Sequence, residues 1–246
     1  MAKNRDSQDD TPTIKPLGIK SIDRLSELEK CSLQDYISAV SEYVRISRNL
    51  DDSAKKIAQI RLSTGLARAL LVDLRVSLPN LNAFAGEKEV SGALRNVKAD
   101  LSEMHPLDGL RLAAELKPVN LAVGRAIWNR FGDVRTFAVN LHLKFPFAVI
   151  GGVLTIPTYE EKPKKTSGLT RISTRHLIER AVARFVRAGG RKSEGDPAHL
   201  LEGIAVIAYD PDSSEIDSSL PQAGIGLRWN EFVTSLVTAY QARFED

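Results

Sequence analysis

The chain has 246 residues, 43% of them hydrophobic and 26% charged, which predicts a soluble globular protein of one or two domains, long enough to bury a substantial core. Lys plus Arg number 34 against 31 Asp plus Glu, and a formal charge of +3 excludes a strongly basic nucleic-acid coat while leaning toward anionic partners. The one cysteine, Cys31, excludes an intrachain disulfide framework and any multi-cysteine zinc or iron–sulfur site; with a polar stretch at 1–16 and no apolar run longer than about Phe145 to Ile156, a cytoplasmic protein with no membrane partner is expected.

Residues 1–16 carry two prolines and few large apolar side chains, and are expected to form a disordered tail. From Ser21, Ile22, Leu25 and Leu28 recur at helical spacing; after Ser32 as an N-cap, Ile37, Val40 and Val44 do the same. Ile57, Ile60, Leu66, Leu70 and Leu74 predict a further helix from about Asp51, ending before Pro79. Residues 17–80 thus read as an α-helical region for packing or dimerisation, with Cys31 buried in it rather than acting as a nucleophile.

Residues 81–246 change texture. Val97, Ala99 and Leu101 alternate with Lys98, Asp100 and Ser102, the period of a half-buried strand. His105-Pro-Leu-Asp-Gly109 is a turn cluster, and Leu110, Leu112, Ala114 and Leu116 then alternate with Arg111, Ala113, Glu115 and Lys117, so the two runs read as a β-hairpin. A helix is expected over 122–143, with Gly132 as a point of interruption, followed by a buried strand over 147–156. In that strand Gly151-Gly152 reads as a bulge or as a site of close backbone approach. Residues 160–168 (EEKPKKTSG) read as a charged linker or loop. A helix over 173–188, stopped by Gly189-Gly190, a buried strand over 201–209 and a closing helix over 230–244 complete the order. The expected class is α/β (α+β), a central mixed sheet flanked by helices.

Strand parity puts Lys98, Asp100 and Ser102 on one face of the first hairpin strand, and Arg111, Glu115 and Lys117 on one face of the second. Folding back through the turn brings Asp100 beside 113–115, so two carboxylates and a lysine converge on the polar side of the sheet. Two such anions repel, and a hard cation such as Mg²⁺ neutralises them; with a lysine to balance phosphoryl charge, these are the parts needed to hydrolyse a phosphodiester.

Asp100, fourteen residues, then Glu115-Leu116-Lys117 resembles the PD-(D/E)XK motif of restriction-endonuclease-like nucleases, over roughly 87–207. The resemblance implies a restriction-endonuclease-like core with the motif on its hairpin, Asp100 and Glu115 as metal ligands, Lys117 assisting the attacking water, and Glu89 as a further acidic ligand from a helix before the hairpin. It also implies double-stranded DNA as substrate and a homodimer, since cutting two strands takes two active sites. The sequence departs from the motif where Ala99 replaces the proline; Asp108, after Pro106-Leu107, matches that feature more closely but lies inside the turn. Strand parity favours Asp100, with Asp108 as the alternative.

Asn120, Arg125, Asn129, Arg130 and Arg135, with Trp128, lie on or just before the following helix, where they read either as contacts to phosphates and base edges or as a solvated face ion-paired with Asp133. Arg180, Arg184 and Arg187 form a second cationic stripe. His142 reads as a structural histidine. No phosphate-binding loop, Gly-x-Ser-x-Gly elbow or zinc spacing occurs, which argues against ATP hydrolysis, serine-esterase chemistry and a zinc site. The expectation is therefore a Mg²⁺-dependent endodeoxyribonuclease of the type II restriction kind. The alternatives are a non-catalytic DNA-binding or assembly protein on the same scaffold, and a nuclease acting on structured DNA or on RNA.

Overall fold

A computed structural model describes residues 16–28, 30–164 and 167–245; the expected tail lies, but for Pro16, outside the described residues. Three helices come first: α1 (Lys20–Glu27), α2 (Leu33–Ile46) and α3 (Asp52–Ser77). The start of α2 is fixed by its sequence. Ser32 Oγ accepts from the Asp35 N–H at 3.1 Å while the Asp35 carboxylate accepts from the Ser32 N–H at 3.0 Å, so two amides at the helix end are satisfied reciprocally. Asp51 caps α3 in the simpler way, accepting from the Ala54 N–H at 2.7 Å.

The remaining chain forms β1 (Phe84–Ser91), β2 (Asn96–His105), β3 (Gly109–Pro118), α4 (Val123–His142), β4 (Val149–Pro157), β5 (Tyr159–Pro163), β6 (Leu169–Ser173), α5 (Arg175–Phe185), β7 (Gly203–Asp210), β8 (Glu215–Ile216) and α6 (Trp229–Phe244). Six strands make one mixed sheet in the order β1-β2-β3-β4-β7-β8, parallel where β3, β4 and β7 adjoin and antiparallel elsewhere. The expected mixed sheet flanked by helices is what the chain forms. The hairpin turn closes at Gly109, whose φ of 72° suits a residue without Cβ. Among the described residues no helix is long and apolar enough to cross a membrane.

Both faces of the sheet are covered. One core joins Leu62, Leu66 and Leu70 of α3 to Leu101, Leu112, Ala114, Leu116 and Val153 of the sheet and Phe232 and Leu236 of α6. The other joins Ala113, Ile150, Leu154 and Val206 to Val134 and Phe137 of α4 and Ile178 and Phe185 of α5. The expected half-buried hairpin with a polar side is thereby corrected: Ala113, Ser102 and Glu115 lie beneath other elements, because α4 closes the face that parity marked as polar.

Three further expectations change. Gly132 does not interrupt α4. Gly151 and Gly152 keep regular register with both neighbours, so there is no bulge; a Cβ on Gly151 would meet Phe232 of α6 at 3.0 Å and one on Gly152 would meet Val134 of α4 at 2.5 Å, so the pair lets helices close on both faces. The expected linker over 160–168 is mostly a two-stranded antiparallel sheet of β5 and β6, with Lys165 and Thr166 outside the described residues. A true bulge lies in the outermost strand, where the β1–β2 register shifts between Ala85 and Lys88.

Candidate active site

The β2–β3 ladder runs from the turn to the pair Leu101↔Ala114 and stops there. One residue further on, Asp100 reaches across the gap instead of pairing its backbone. Its carboxylate accepts from the Leu116 N–H at 2.7 Å on one oxygen and from Ser63 Oγ of α3 at 3.2 Å on the other. The two strands part at this point, and Glu115 and Lys117 of β3 lie on the far side of the fork. Lys117 Nζ sits 2.5 Å from Glu115 Oε1. Asp100, Glu115 and Lys117 line one cavity of about 470 Å³ together with Glu87, Glu89, Lys98 and Asp133. A neighbouring cavity of about 530 Å³ shares Asp100 and Lys117 and is walled by α3.

Burial dominates the electrostatics. Desolvation pushes the Glu115 carboxyl up to about 7; the Lys117 ammonium opposes that rise and the Asp100 charge adds to it. Asp100 is also raised by burial, against the Leu116 N–H, Lys117 and Ser63, which favour its ionised form. Glu115 is only 7% exposed, and its Oε2 is buried with no hydrogen-bond partner. A buried carboxylate oxygen left unpaired is costly, and a cation is one group that would satisfy it. Among the described residues no three His, Cys, Asp or Glu side chains form a ready metal cage. Two carboxylates nonetheless match Mg²⁺, which keeps most of its waters and takes one or two protein carboxylates plus substrate phosphate.

The remaining expected residues divide. Asp108 lies at the opposite end of the hairpin, ion-paired with Arg111 and 3.0 Å from His105 Nδ1, so Asp100 and not Asp108 meets Glu115. Glu89 is on strand β1 rather than on a helix preceding the hairpin; its carboxylate lines the smaller cavity and accepts from Asn96 Nδ2 at 2.7 Å. Asn120 and Arg130 line the larger cavity, Asn120 accepting from Tyr209 OH at 3.5 Å and Arg130 ion-paired with Asp133 at 2.9 Å. Arg125 and Asn129 are exposed on α4 outside that cavity, and Arg135 packs over the Phe131 ring, 5.7 Å from its centroid, so the five do not form one surface. Arg180 and Arg184 stack on Trp128, with centroid distances of 5.0 and 4.1 Å, and tie α5 to α4.

Sequence reasoning missed Ser63, which lies 37 positions before Asp100 on a helix read only for packing. It also missed Glu87, whose strand was not foreseen and whose carboxylate pairs with Lys98 at 2.5 Å. His142 is structural as expected: its ring nitrogens lie 3.1 Å from the Ala198 carbonyl and 3.2 Å from Glu202 Oε2. Cys31 is fully buried, and burial pushes its thiol up to about 12. No protein-family model matches the chain, and no curated protein and no solved structure matches it.

Proposed function

We propose that the chain is a Mg²⁺-dependent endodeoxyribonuclease that hydrolyses phosphodiester bonds in double-stranded DNA. Its restriction-endonuclease-like resemblance points to a homodimer of the type II restriction kind. The observation that carries the reading is the fork between β2 and β3, where Asp100, Glu115 and Lys117 meet at one cavity and Glu115 Oε2 lacks a partner. Asp100 and Glu115 would hold the metal; bound there, Mg²⁺ supplies Lewis-acid polarisation of a phosphoryl oxygen and lowers the pKa of a coordinated water.

The chain's own groups do the rest. The Leu116 N–H and Ser63 hold the Asp100 carboxylate with its oxygens fixed in direction, so little reorganisation is needed at the moment of reaction. Lys117, half-buried at the end of β3, brings a positive charge whose present neutraliser is Glu115; a phosphate at the fork offers that ammonium a second anion as negative charge builds on the phosphoryl oxygens.

The test is incubation of supercoiled plasmid with the purified protein, with Mg²⁺ or with EDTA. Cleavage is expected with Mg²⁺ alone, and Glu115→Ala and Lys117→Ala are each expected to abolish it with the fold intact by circular dichroism. Undiminished cutting by both variants would remove this site. A second reading, a DNA-binding protein on the same scaffold that does not cut, is favoured by the Lys117–Glu115 contact, which neutralises Glu115 without any metal. Binding that persists in EDTA, with no nicking under any divalent cation, would select it.

A further inference from the structure

Four cationic side chains and two carboxylates line the larger cavity at the fork, and one wall of it is a single face of α3. Lys56, Gln59, Ile60, Ser63 and Thr64 recur there at steps of three and four, so one helical stripe leads from an exposed lysine to the serine that touches Asp100. Beyond Lys56 the stripe adjoins a second cavity of about 520 Å³ that shares Asn120 and Leu121 with the first. Lys55, Arg48 and Arg171 line it, and the β5–β6 sheet forms its far side. By contrast, Arg125 and Asn129 of α4 point into neither cavity.

We propose that the backbone of the substrate strand runs along α3, from the fork past Ser63 to Lys56 and on to Lys55 and Arg48, so that the amino-terminal helices form the substrate-binding wall. This rests on the phosphodiesterase reading and adds the path of the polymer. Ser63 and Lys56 are about 10 Å apart along the helix at roughly 1.5 Å per residue. Because consecutive phosphates of one strand lie further apart than the axial rise per nucleotide, that distance places the Lys56 ammonium near one of the next phosphates along the strand from the bond to be cut. Arg48 pairs with Glu161 at 3.9 Å, and Arg171 pairs with Asp212 at 2.6 Å and with Glu161 at 3.6 Å; all are exposed pairs, weak enough for a phosphate to compete with the carboxylates.

The experiment is fluorescence anisotropy of labelled duplex and single-stranded DNA in EDTA, over a range of salt, so that binding is read without cleavage. Lys55→Ala/Lys56→Ala is compared with the parent and with Lys20→Ala/Lys30→Ala, an equal reduction of charge at residues lining neither cavity. Lys56 is exposed, Lys55 is half-buried with only a surface ion pair to Asp52, and alanine favours helix, so the variant folds, as a thermal melt checks. The α3 variant is expected to lower the slope of log affinity against log salt by about two, at about 0.9 for each phosphate no longer neutralised, with the control unchanged. Parental binding with an unaltered slope in the α3 variant overturns the path and leaves the phosphodiesterase reading standing. Equal weakening in both variants also overturns it, since charge alone would then account for the effect. A parent that binds neither DNA at low salt, whether in EDTA or with Ca²⁺ in place of Mg²⁺, overturns both.

Discussion

Glu115 carries the carboxyl of the candidate site that burial perturbs most. Its carboxyl titrates near 7 because burial disfavours the anion and Asp100 repels it, with Lys117 restoring only part of the loss. The folded value lies above the ordinary 4.5, so the group favours the folded state most at low pH, and that contribution fades as pH rises through about 7. Glu115→Gln removes the titration. In EDTA, the variant is expected to gain on the parent above pH 7, by up to about 3 kcal/mol, and to match it in acid; urea unfolding at the two extremes measures this. A difference independent of pH would show that the anion carries no burial penalty. Asp100, Glu115 and Lys117 could be brought together from the sequence because they lie on one short hairpin whose turn can be counted; strict parity does not hold, since Val97 and Ala99 join the core under α4 while Leu101 joins the core under α3. Ser63 could not be, since nothing in a helical repeat marks which polar residue will meet a carboxylate from a distant strand.

Among the elements, legibility follows burial. β4 and β7 are continuous apolar runs because parallel strands with helices on both faces have no solvent side to encode, and they were read correctly. β1 was missed: its sequence, FAGEKEVS, does not alternate, as a bulge and a glycine break the period. β5 and β6 pair only with each other and stay largely exposed, so no core imprints a pattern on EEKPKK and they read as a loop. The polar side assigned to the hairpin was an error of the same origin, since alternation describes one strand and not what later covers it. The glycine pair in β4 offers a test of how tightly α4 is seated. Gly152→Ala puts a methyl group 2.5 Å from Val134 Cγ1, and destabilisation of about 1–3 kcal/mol is expected by urea denaturation. Gly132→Ala, with nothing within 4 Å of the added carbon, is expected to be neutral or stabilising.

At the scale of the whole molecule, two cores are joined through one sheet, and the C-terminal helix is tied to α4 and the sheet by a buried ionic knot. Glu202 is fully enclosed between Arg243 of α6, with Nη1 2.8 Å from Oε1, Arg191 at 3.5 Å, and His142 of α4. Burial would raise its carboxyl, but His142, the Ile150 N–H and Arg243 hold it below the ordinary range. Removing it leaves buried cations without their anion, so Glu202→Ala is expected to cost about 3–5 kcal/mol in equilibrium unfolding; a change of less than about 1 kcal/mol would mean water reaches the cluster.

The outermost strand, β1, carries Glu87, Lys88 and Glu89 in succession beside its register shift. Unpaired backbone on a flat rim invites a second copy to continue the ladder, and consecutive charges with a local kink are a common defence against such growth. The opposite rim, β8, is two residues long. A twofold partner therefore has no continuous ribbon to extend at either border of the six-stranded sheet, and neither border favours fibre-like stacking.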